Sequence, residues 1–195
     1  LNRDAATGAG GMLVNDFASR SFAAAANGVL VIGPNGGTIA ATSNTTLYVT
    51  QPIALSNHAL TIGSTCVLDR VMLPKLGLVQ FNSGFGLNTA EAGSSITVVP
   101  GATLNNVANT IPDAADLTVD GTLLMSGSEN IGSLAGSGVV NLQGNSLTVG
   151  RNNNSTTFSG MLTNAVTTTL FMKTGSGRLD ITSSGHPYMG LFTVN

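Results

Sequence analysis

The most obvious shortage in this chain is charge. Of its 195 residues, 7 are Lys or Arg and 9 are Asp or Glu, so charged residues make up 8 %, where a soluble domain usually has about 25 %. A net charge of −2 with so few basic residues argues against a nucleic-acid partner, because phosphate binding needs a basic face. Hydrophobic residues reach 42 %, which excludes a disordered chain.

Cysteine and long hydrophobic runs are also scarce. The single Cys66 cannot form an internal disulfide, which excludes a disulfide-stapled fold, and its strand-like surroundings predict a small buried side chain. No apolar run approaches the length of a membrane-spanning helix, so we expect no membrane span in this chain. The chain begins at Leu1 without the charged and apolar regions of an export signal, which favours a mature or excised piece of an exported protein.

Helical periodicity is nearly absent as well. One exception is the Ala-rich stretch 15–28, where Asp16 stands at a capping position, and this stretch predicts a short helix. We therefore predict an N-terminal cap or leading segment over residues 1–27 and a region of β-strands over 28–195.

What the chain has in abundance is short apolar runs separated by Gly, Asn and Ser, with Thr, Asn or Asp alternating inside the runs. This alternation predicts strands with one buried and one solvated face. Similar strand–Gly–strand units recur about 20 residues apart, which favours a solenoid of roughly ten stacked coils. A β-sandwich fold remains an alternative, because the dipeptide Asp120-Gly121 is also typical of a hairpin turn. The predicted strands are 29–32, 46–50, 59–63, 65–69, 77–81, 95–99, 117–125, 139–143, 147–150, 169–173, 178–181 and 191–194.

Stacking gives the low charge a physical reason. Equivalent positions of neighbouring coils lie about 4.8 Å apart, so stacked like charges would repel, whereas Asn, Ser and Thr can hydrogen-bond along the stack. Corners between strands need Gly or Asn, which agrees with the 25 glycines of the chain.

The C-terminal part carries a specific pattern of Gly, apolar and polar positions over 117–195, more loosely over 92–116 and 28–63. Its last unit has the spacing K-x-G-x-G-x-L-x-L, then a polar loop with Tyr, then G-x-T-x-V-N. The matching positions are Lys173, Gly175, Gly177, Leu179, Ile181, Tyr188, Gly190, Thr193, Val194 and Asn195, and upstream Ile131, Gly132, Leu134, Gly136, Gly138, Val140, Leu142, Gly144, Leu147, Val149 and Gly150. In this pattern the chain resembles the autotransporter-associated β-strand repeat.

That resemblance implies an all-β chain folded as a right-handed parallel β-helix. It also implies a passenger segment of a type V secreted surface protein, located outside the cell or on the surface of a Gram-negative-type bacterium. The chain departs from the family in its polar loop, which reads SSGHPY. It stops at Asn195, where the family continues, so we expect the final repeat to be truncated. The segment 70–88 matches poorly, and we interpret it as a loop excursion from the rod.

Three carboxylates, Asp113, Asp116 and Asp120, form the sharpest catalytic candidate. Polysaccharide-cleaving parallel β-helices place Asp pairs on adjacent coils for acid–base or metal-assisted chemistry. Each of these residues also suits a turn or a strand end, and no basic side chain accompanies them in the sequence. We therefore expect them to be structural.

The histidines, serines, sequons and aromatic residues of the sequence do not indicate a catalytic or binding site. His58 and His186 lack a second ligand at metal-binding spacing, and we expect exposed turn histidines. No G-x-S-x-G motif supports a Ser–His–Asp triad. The sequons at Asn44 and Asn154 are expected to be polar turns. Aromatic residues could form a sugar platform but more often fill a core, namely Tyr48, Phe81, Phe85 and Tyr188. We predict no catalytic, cofactor or metal site.

The sequence thus favours a structural β-helical passenger segment that acts in adhesion or assembly. Its partners would be other copies stacked end to end, or host and neighbouring-cell surfaces. Two alternatives stay open: a self-assembling subunit of an extracellular filament or matrix, and a polysaccharide-degrading β-helix enzyme. A face of ice-binding TxT motifs is weaker, because the Thr spacing is irregular in the sequence.

Overall fold

The structure is a computed structural model that describes residues 11–15, 20–22, 30–41, 46–49, 53–63, 78–81 and 93–195. These residues form β-strands, turns and extended segments, with no helix among them. The strands are stacked in parallel sheets as a β-solenoid of about six turns. The predicted all-β parallel β-helix is therefore confirmed.

The strands are short, from two to five residues, as expected when each coil turns a corner after every strand. In chain order they are β1 (Gly11–Asn15), β2 (Arg20–Phe22), β3 (Leu30–Val31), β4 (Gly37–Ala41), β5 (Thr46–Val49), β6 (Ile53–Ala54), β7 (Ala59–Ile62), β8 (Leu78–Phe81), β9 (Ser95–Val98), β10 (Thr103–Asn106), β11 (Asp116–Val119), β12 (Thr122–Met125), β13 (Glu129–Ile131), β14 (Ser133–Ala135), β15 (Val139–Asn141), β16 (Leu147–Val149), β17 (Thr156–Phe158), β18 (Met161–Thr163), β19 (Leu170–Lys173), β20 (Leu179–Ile181) and β21 (Leu191–Val194).

Two long sheets run along the rod. One has the order β1-β4-β7-β9-β11-β14, and the other has the order β18-β15-β12-β10-β8-β5-β2. A third side is formed by the sheet β13-β16-β19-β21, and two pairs, β17-β20 and β3-β6, complete the described part. The pairings are parallel, so each strand lies beside its counterpart from the neighbouring coil rather than beside its neighbour in the chain.

Because neighbouring strands pair in register, the alternating apolar and polar residues form inward and outward columns of side chains along the rod. In the six-stranded sheet, Leu60, Ile96, Leu117 and Leu134 are stacked in one inward column, and all four are fully buried. The neighbouring outward column contains Thr38, Thr61, Thr97 and Thr118, which are half-buried. The core is therefore a stack of apolar layers that runs the length of the rod, with Phe158 and Phe171 the largest of its fully buried side chains.

Close backbone approach at one corner requires glycine. Gly138 precedes β15, and a Cβ atom there would lie 2.1 Å from the carbonyl oxygen of Gly121 in the preceding coil. One coil later, a Cβ atom at Gly160 would lie 2.1 Å from the carbonyl oxygen of Gly138. Since real Cβ atoms do not approach oxygen so closely, this corner column accepts no side chain without a shift of the coils.

The structure corrects three expectations. Arg20–Phe22 forms β2, which pairs with β5, so the helix predicted over 15–28 is wrong there; residues 16–19 and 23–28 lie outside the described residues. Leu78–Phe81 is a regular strand paired with β5 and β10, which confirms the predicted strand 77–81 and corrects the excursion 70–88 at these residues; residues 70–77 and 82–88 lie outside the described part. The rod has about six turns rather than roughly ten, because some coils are longer than 20 residues: Leu60 pairs with Ile96.

Most predicted strands occur where the alternation placed them, and the run 117–125 divides into β11 and β12 at Asp120-Gly121. This dipeptide turns a corner of the solenoid instead of closing a hairpin, since β11 and β12 belong to different sheets. The predicted strand 65–69, which contains Cys66, lies outside the described residues.

Candidate functional site

Asp116, the central carboxylate of the predicted cluster, connects three coils. It is the first residue of β11, and its Oδ1 accepts hydrogen bonds from the Ser133 hydroxyl of the next coil, from Asn152 Nδ2 at 2.8 Å and from Asn154 Nδ2 at 3.0 Å. Burial alone would raise the pKa of this carboxyl, but the bonds from Ser133, Asn154 and Asn152 outweigh it and lower the pKa below the usual 3.8. Asp116 is thus held in its charged form as an acceptor.

Asp113 and Asp120 make similar connections. Asp120 Oδ1 accepts the backbone N–H and the hydroxyl of Ser137, both at 3.0 Å and 17 residues further along the chain. Asp113 lies 3.8 Å from the guanidinium of Arg151 in an exposed ion pair. The three predicted carboxylates are therefore each bonded to a later part of the chain, and no hydrogen bond among the described residues joins one of them to another.

Glu129 is a buried carboxyl that the sequence did not single out. It is the first residue of β13 and only 3 % exposed. Its Oε2 accepts hydrogen bonds from Asn106 Nδ2 and Thr110 N, both at 3.0 Å, and from Ile111 N at 3.3 Å. Asn130 N donates to Oε1 at 3.2 Å.

Burial has the largest effect on Glu129 and raises the pKa of its carboxyl to about 7, although the hydrogen bonds from Thr110, Ile111, Asn106 and Asn130 lower it. Its neighbour Asn106 is fully buried, and its amide Oδ1 has no hydrogen-bond partner among the residues that the structure describes. A signal was present in the sequence, because strand alternation places Glu129 on the same face as the buried Ile131.

The two histidines are half-buried rather than exposed as predicted. His58 follows the turn Ser56-Asn57, whose two residues have positive φ, and its backbone N–H donates to Leu55. His186 has a more specific environment: its Nδ1 lies 3.1 Å from the backbone nitrogen of Leu162, and its Nε2 lies 3.2 Å from Ser183 Oγ.

Ser183 and His186 have the residue types of a nucleophile and its base, but their hydrogen bonds have the opposite polarity. A neutral imidazole carries one N–H, and Nδ1 uses its lone pair to accept the N–H of Leu162. The proton therefore lies on Nε2, which donates to Ser183 Oγ, while the Ser183 hydroxyl donates to the carbonyl of Gly160. In this arrangement His186 cannot accept the proton of Ser183, as a catalytic base must.

The structure describes the side chains of two of the four aromatic candidates, Tyr48 and Tyr188. Tyr188 contacts Phe192 edge-on with ring centroids 4.7 Å apart, and Phe192 contacts the buried Phe171 at 5.2 Å. Tyr48 lies on β5, in a column with Gln80. The side chain of Phe81 and the whole of Phe85 lie outside the described part.

The two sequons can be placed only in part. Asn154 is exposed and its side-chain amide donates to Asp116, whereas Asn44 lies outside the described residues.

Cations and metal ligands are sparse in the described part. Arg178 pairs with Asp180 at 2.7 Å, and Lys173 donates to the backbone carbonyls of Thr174 and Gly175. Among the described residues, no group of three His, Cys, Asp or Glu side chains could hold a metal ion. No helix long and apolar enough to cross a membrane was found in the same residues.

No protein-family model matches this chain, and no curated protein or solved structure compared with it matches either. The fold therefore defines the class by itself: the chain is a parallel β-solenoid whose polar side chains bond one coil to another.

Proposed function

We propose that the chain is a structural β-helical passenger segment of an exported bacterial autotransporter-like protein. It would be exposed at the cell surface and act in adhesion or assembly without catalysis. The observation that carries the proposal is that the candidate catalytic side chains Asp116 and Asp120 accept hydrogen bonds from neighbouring coils. The resemblance of 117–195 to the autotransporter-associated repeat supports the route of export.

The proposal gives the stacked coils a mechanical role. Parallel ladders along the rod would resist extension, and coils that fold outside the cell would help to draw the chain outward. The partners would be host or neighbouring-cell surfaces, contacted through outward columns of neutral polar side chains such as Thr61, Thr97 and Thr118.

Surface display tests this function. The chain would be fused between an export signal and a bacterial translocating membrane barrel, and its exposure on intact cells would be measured with an antibody and by protease release. We expect display of the folded chain and increased binding of these cells to a host-cell layer or to one another. The matched control is Gly138→Val, which should disrupt a corner of the rod and abolish the added binding. Display without added binding, or binding equal to that of the control, would contradict the proposal.

A second candidate function, a self-assembling subunit of an extracellular filament or matrix, is favoured by one observation. Of the seven exposed large apolar side chains of the described residues, six lie between Met161 and Val194. Phe192 continues the inward column of Leu147 and Phe171 but is 49 % exposed. An apolar strand edge of this kind pairs readily with another strand.

Scattering and sedimentation over a range of protein concentrations test this second candidate. Assembly predicts particles that lengthen with concentration, and Val194→Asp should suppress the lengthening because it places a charge on the 81 % exposed edge position of β21. Thr167→Asp, which adds the same charge to an exposed turn, should leave it unchanged. Compact monomers at every concentration would argue against assembly and would leave the passenger proposal to be decided by surface display.

A further inference from the structure

The outer edge of β18 is closed by side chains rather than by a strand. One coil earlier, the N–H of Leu142 donates to the backbone carbonyl of Thr163 at 3.0 Å. On the other side of β18, the N–H of Leu162 donates instead to the imidazole Nδ1 of His186 at 3.1 Å. The ring nitrogen thus occupies the place of a strand carbonyl.

Ser183 completes this arrangement. Its hydroxyl donates to the carbonyl of Gly160, directly before β18, and its oxygen accepts the Nε2–H of His186. Backbone bonds resume at Asn164, whose N–H donates to the carbonyl of Pro187 at 3.0 Å and whose carbonyl accepts the N–H of Met189 at 3.1 Å. Two side chains of the loop therefore satisfy the part of the edge that the backbone of the last coil does not reach.

We propose that Ser183 and His186 form a proton-sensitive clasp, which closes the edge of β18 when His186 is neutral and opens when the imidazole is protonated. Protonation adds a hydrogen to Nδ1, so that two N–H groups face each other and Leu162 loses its acceptor. The loop from Thr182 to Pro187 then loses the bond between Leu162 and the imidazole, and the edge of β18 beside the 43 % exposed Met161 becomes available for pairing.

The charged and titratable groups of the surrounding elements are bonded elsewhere. On β19, Lys173 donates to backbone carbonyls. Arg178, which directly precedes β20, and Asp180 on β20 form an ion pair with each other. The hydroxyl of Tyr188 donates to backbone carbonyls of the last two coils. The hydrogen-bond partners of His186, namely Leu162 and Ser183, carry no charge, so none of these bonds compensates a positive imidazole.

Amide hydrogen exchange, measured by NMR on the whole chain from neutral to acidic pH, tests the clasp. We expect protection of the Leu162 amide to fall about tenfold or more as His186 is protonated. The Leu142 amide serves as the internal reference because its acceptor is a backbone carbonyl, and it should keep its protection. The ring ¹⁵N shifts of His186 should show the Nε2–H tautomer at neutral pH and should titrate together with the loss of protection.

His186→Asn is the matched variant, because its carbonyl oxygen can accept the same N–H but does not titrate. It should retain the protection of Leu162 at neutral pH and lose the pH dependence. The proposal is overturned if Leu162 and Leu142 change in parallel in the unmodified chain, if His186→Asn keeps the same pH profile, or if the ring shows the Nδ1–H tautomer. The ring shifts decide the question even if His186→Asn fails to fold.

Discussion

At the scale of single residues, the rod places polar side chains between coils. Glu129 is the extreme case, since its carboxyl is enclosed by Asn106 and by the backbone of Thr110 and Ile111. The enclosed carboxyl binds a proton more tightly in the folded chain than in the unfolded chain, because burial raises its pKa from 4.5 to about 7.

The first prediction concerns the pH dependence of stability. The folded pKa of Glu129 lies above the unfolded value, so its contribution to the free energy of unfolding is greatest below about pH 4.5 and is lost as the pH rises to about 7. The loss should reach about 3 kcal/mol. Urea unfolding over this pH range measures it, and Glu129→Gln should remove most of the slope.

The control for Glu129 is Asp180→Asn, which neutralises a carboxyl of an exposed ion pair. It should leave the slope between pH 4.5 and 7 nearly unchanged. If Glu129→Gln keeps the slope of the unmodified chain, another group is responsible for it.

The second prediction concerns Asp116, whose pKa is lowered below 3.8. The stability it provides is present above that pH and is lost as the pH falls through the lowered value. Asp116→Asn keeps a hydrogen-bond acceptor but removes the negative charge. We expect the free energy of unfolding to fall by about 1 kcal/mol at pH 7, a value that already allows for the partial exposure of the side chain. The loss should disappear in strong acid, as thermal unfolding at pH 7 and near pH 2 would show. A loss of equal size at both pH values would mean that charge is unimportant there.

At the scale of elements, each strand depends on close contact with the coils on either side of it. Gly138 lies at a corner where the backbone of β15 approaches the turn before β12. The close approach of Gly138 to the carbonyl oxygen of Gly121 lets the neighbouring strands β12 and β15 stack in register.

The third prediction follows from that corner. Gly138→Ala places a Cβ 2.1 Å from the oxygen of Gly121 and should lower the free energy of unfolding by about 3 kcal/mol. The neighbouring Ser137→Ala removes only the exposed hydrogen bond from the Ser137 hydroxyl to Asp120 and keeps the one from the backbone N–H, so it should lower the free energy of unfolding by less than about 1 kcal/mol. Urea unfolding of the two variants compares them, and equal losses would show that the corner tolerates a methyl group.

The sequence predicted the elements better than it predicted their connections. Alternation of apolar and polar residues located β9, β11 and β12, because a buried column requires that pattern in each strand. It overlooked nine strands, among them β4 and β13, where Gly37 and Glu129 interrupt the apolar pattern at buried positions. The Ala-rich stretch predicts a helix, whereas pairing with β5 makes Arg20–Phe22 a strand.

The candidate site was predictable only in part. Turn chemistry indicated a structural role for Asp120, and its bonds to Ser137 agree with that role. The partners of Asp116 lie up to 38 residues away, and the length of each coil decides which residues meet. Neither those contacts nor the imidazole of His186 beside Leu162 can be derived from local sequence patterns.

At the scale of the whole molecule, the apolar core extends along an axis rather than around a centre. Coils in the interior are covered on two sides, whereas β21 has, among the described strands, a partner on one side only, β19. The stability of a stacked protein is approximately the sum of contributions from each repeat and from the contacts between neighbouring repeats. Interior coils should therefore be locally more stable than the coil that contains β21.

The fourth prediction is a gradient of local stability. Amide exchange followed by mass spectrometry should show slow exchange in β11 and β14 and much faster exchange in β21, because Leu117 and Leu134 are fully buried while Leu191 and Val194 are 63 % and 81 % exposed. Exchange at a single uniform rate along the rod would indicate that the coils open together.

The register between β11 and β14 has a consequence for how such a chain changes in length. Asp116 pairs with Ser133, 17 residues later, and the next residues of both strands continue the same columns. Removing or duplicating these 17 residues would leave every column in phase, whereas a gain or loss of one residue within a strand would exchange its inner and outer faces. Whole coils are therefore units that recombination can add or delete, and each would change the reach of the rod by a fixed step of about 4.8 Å.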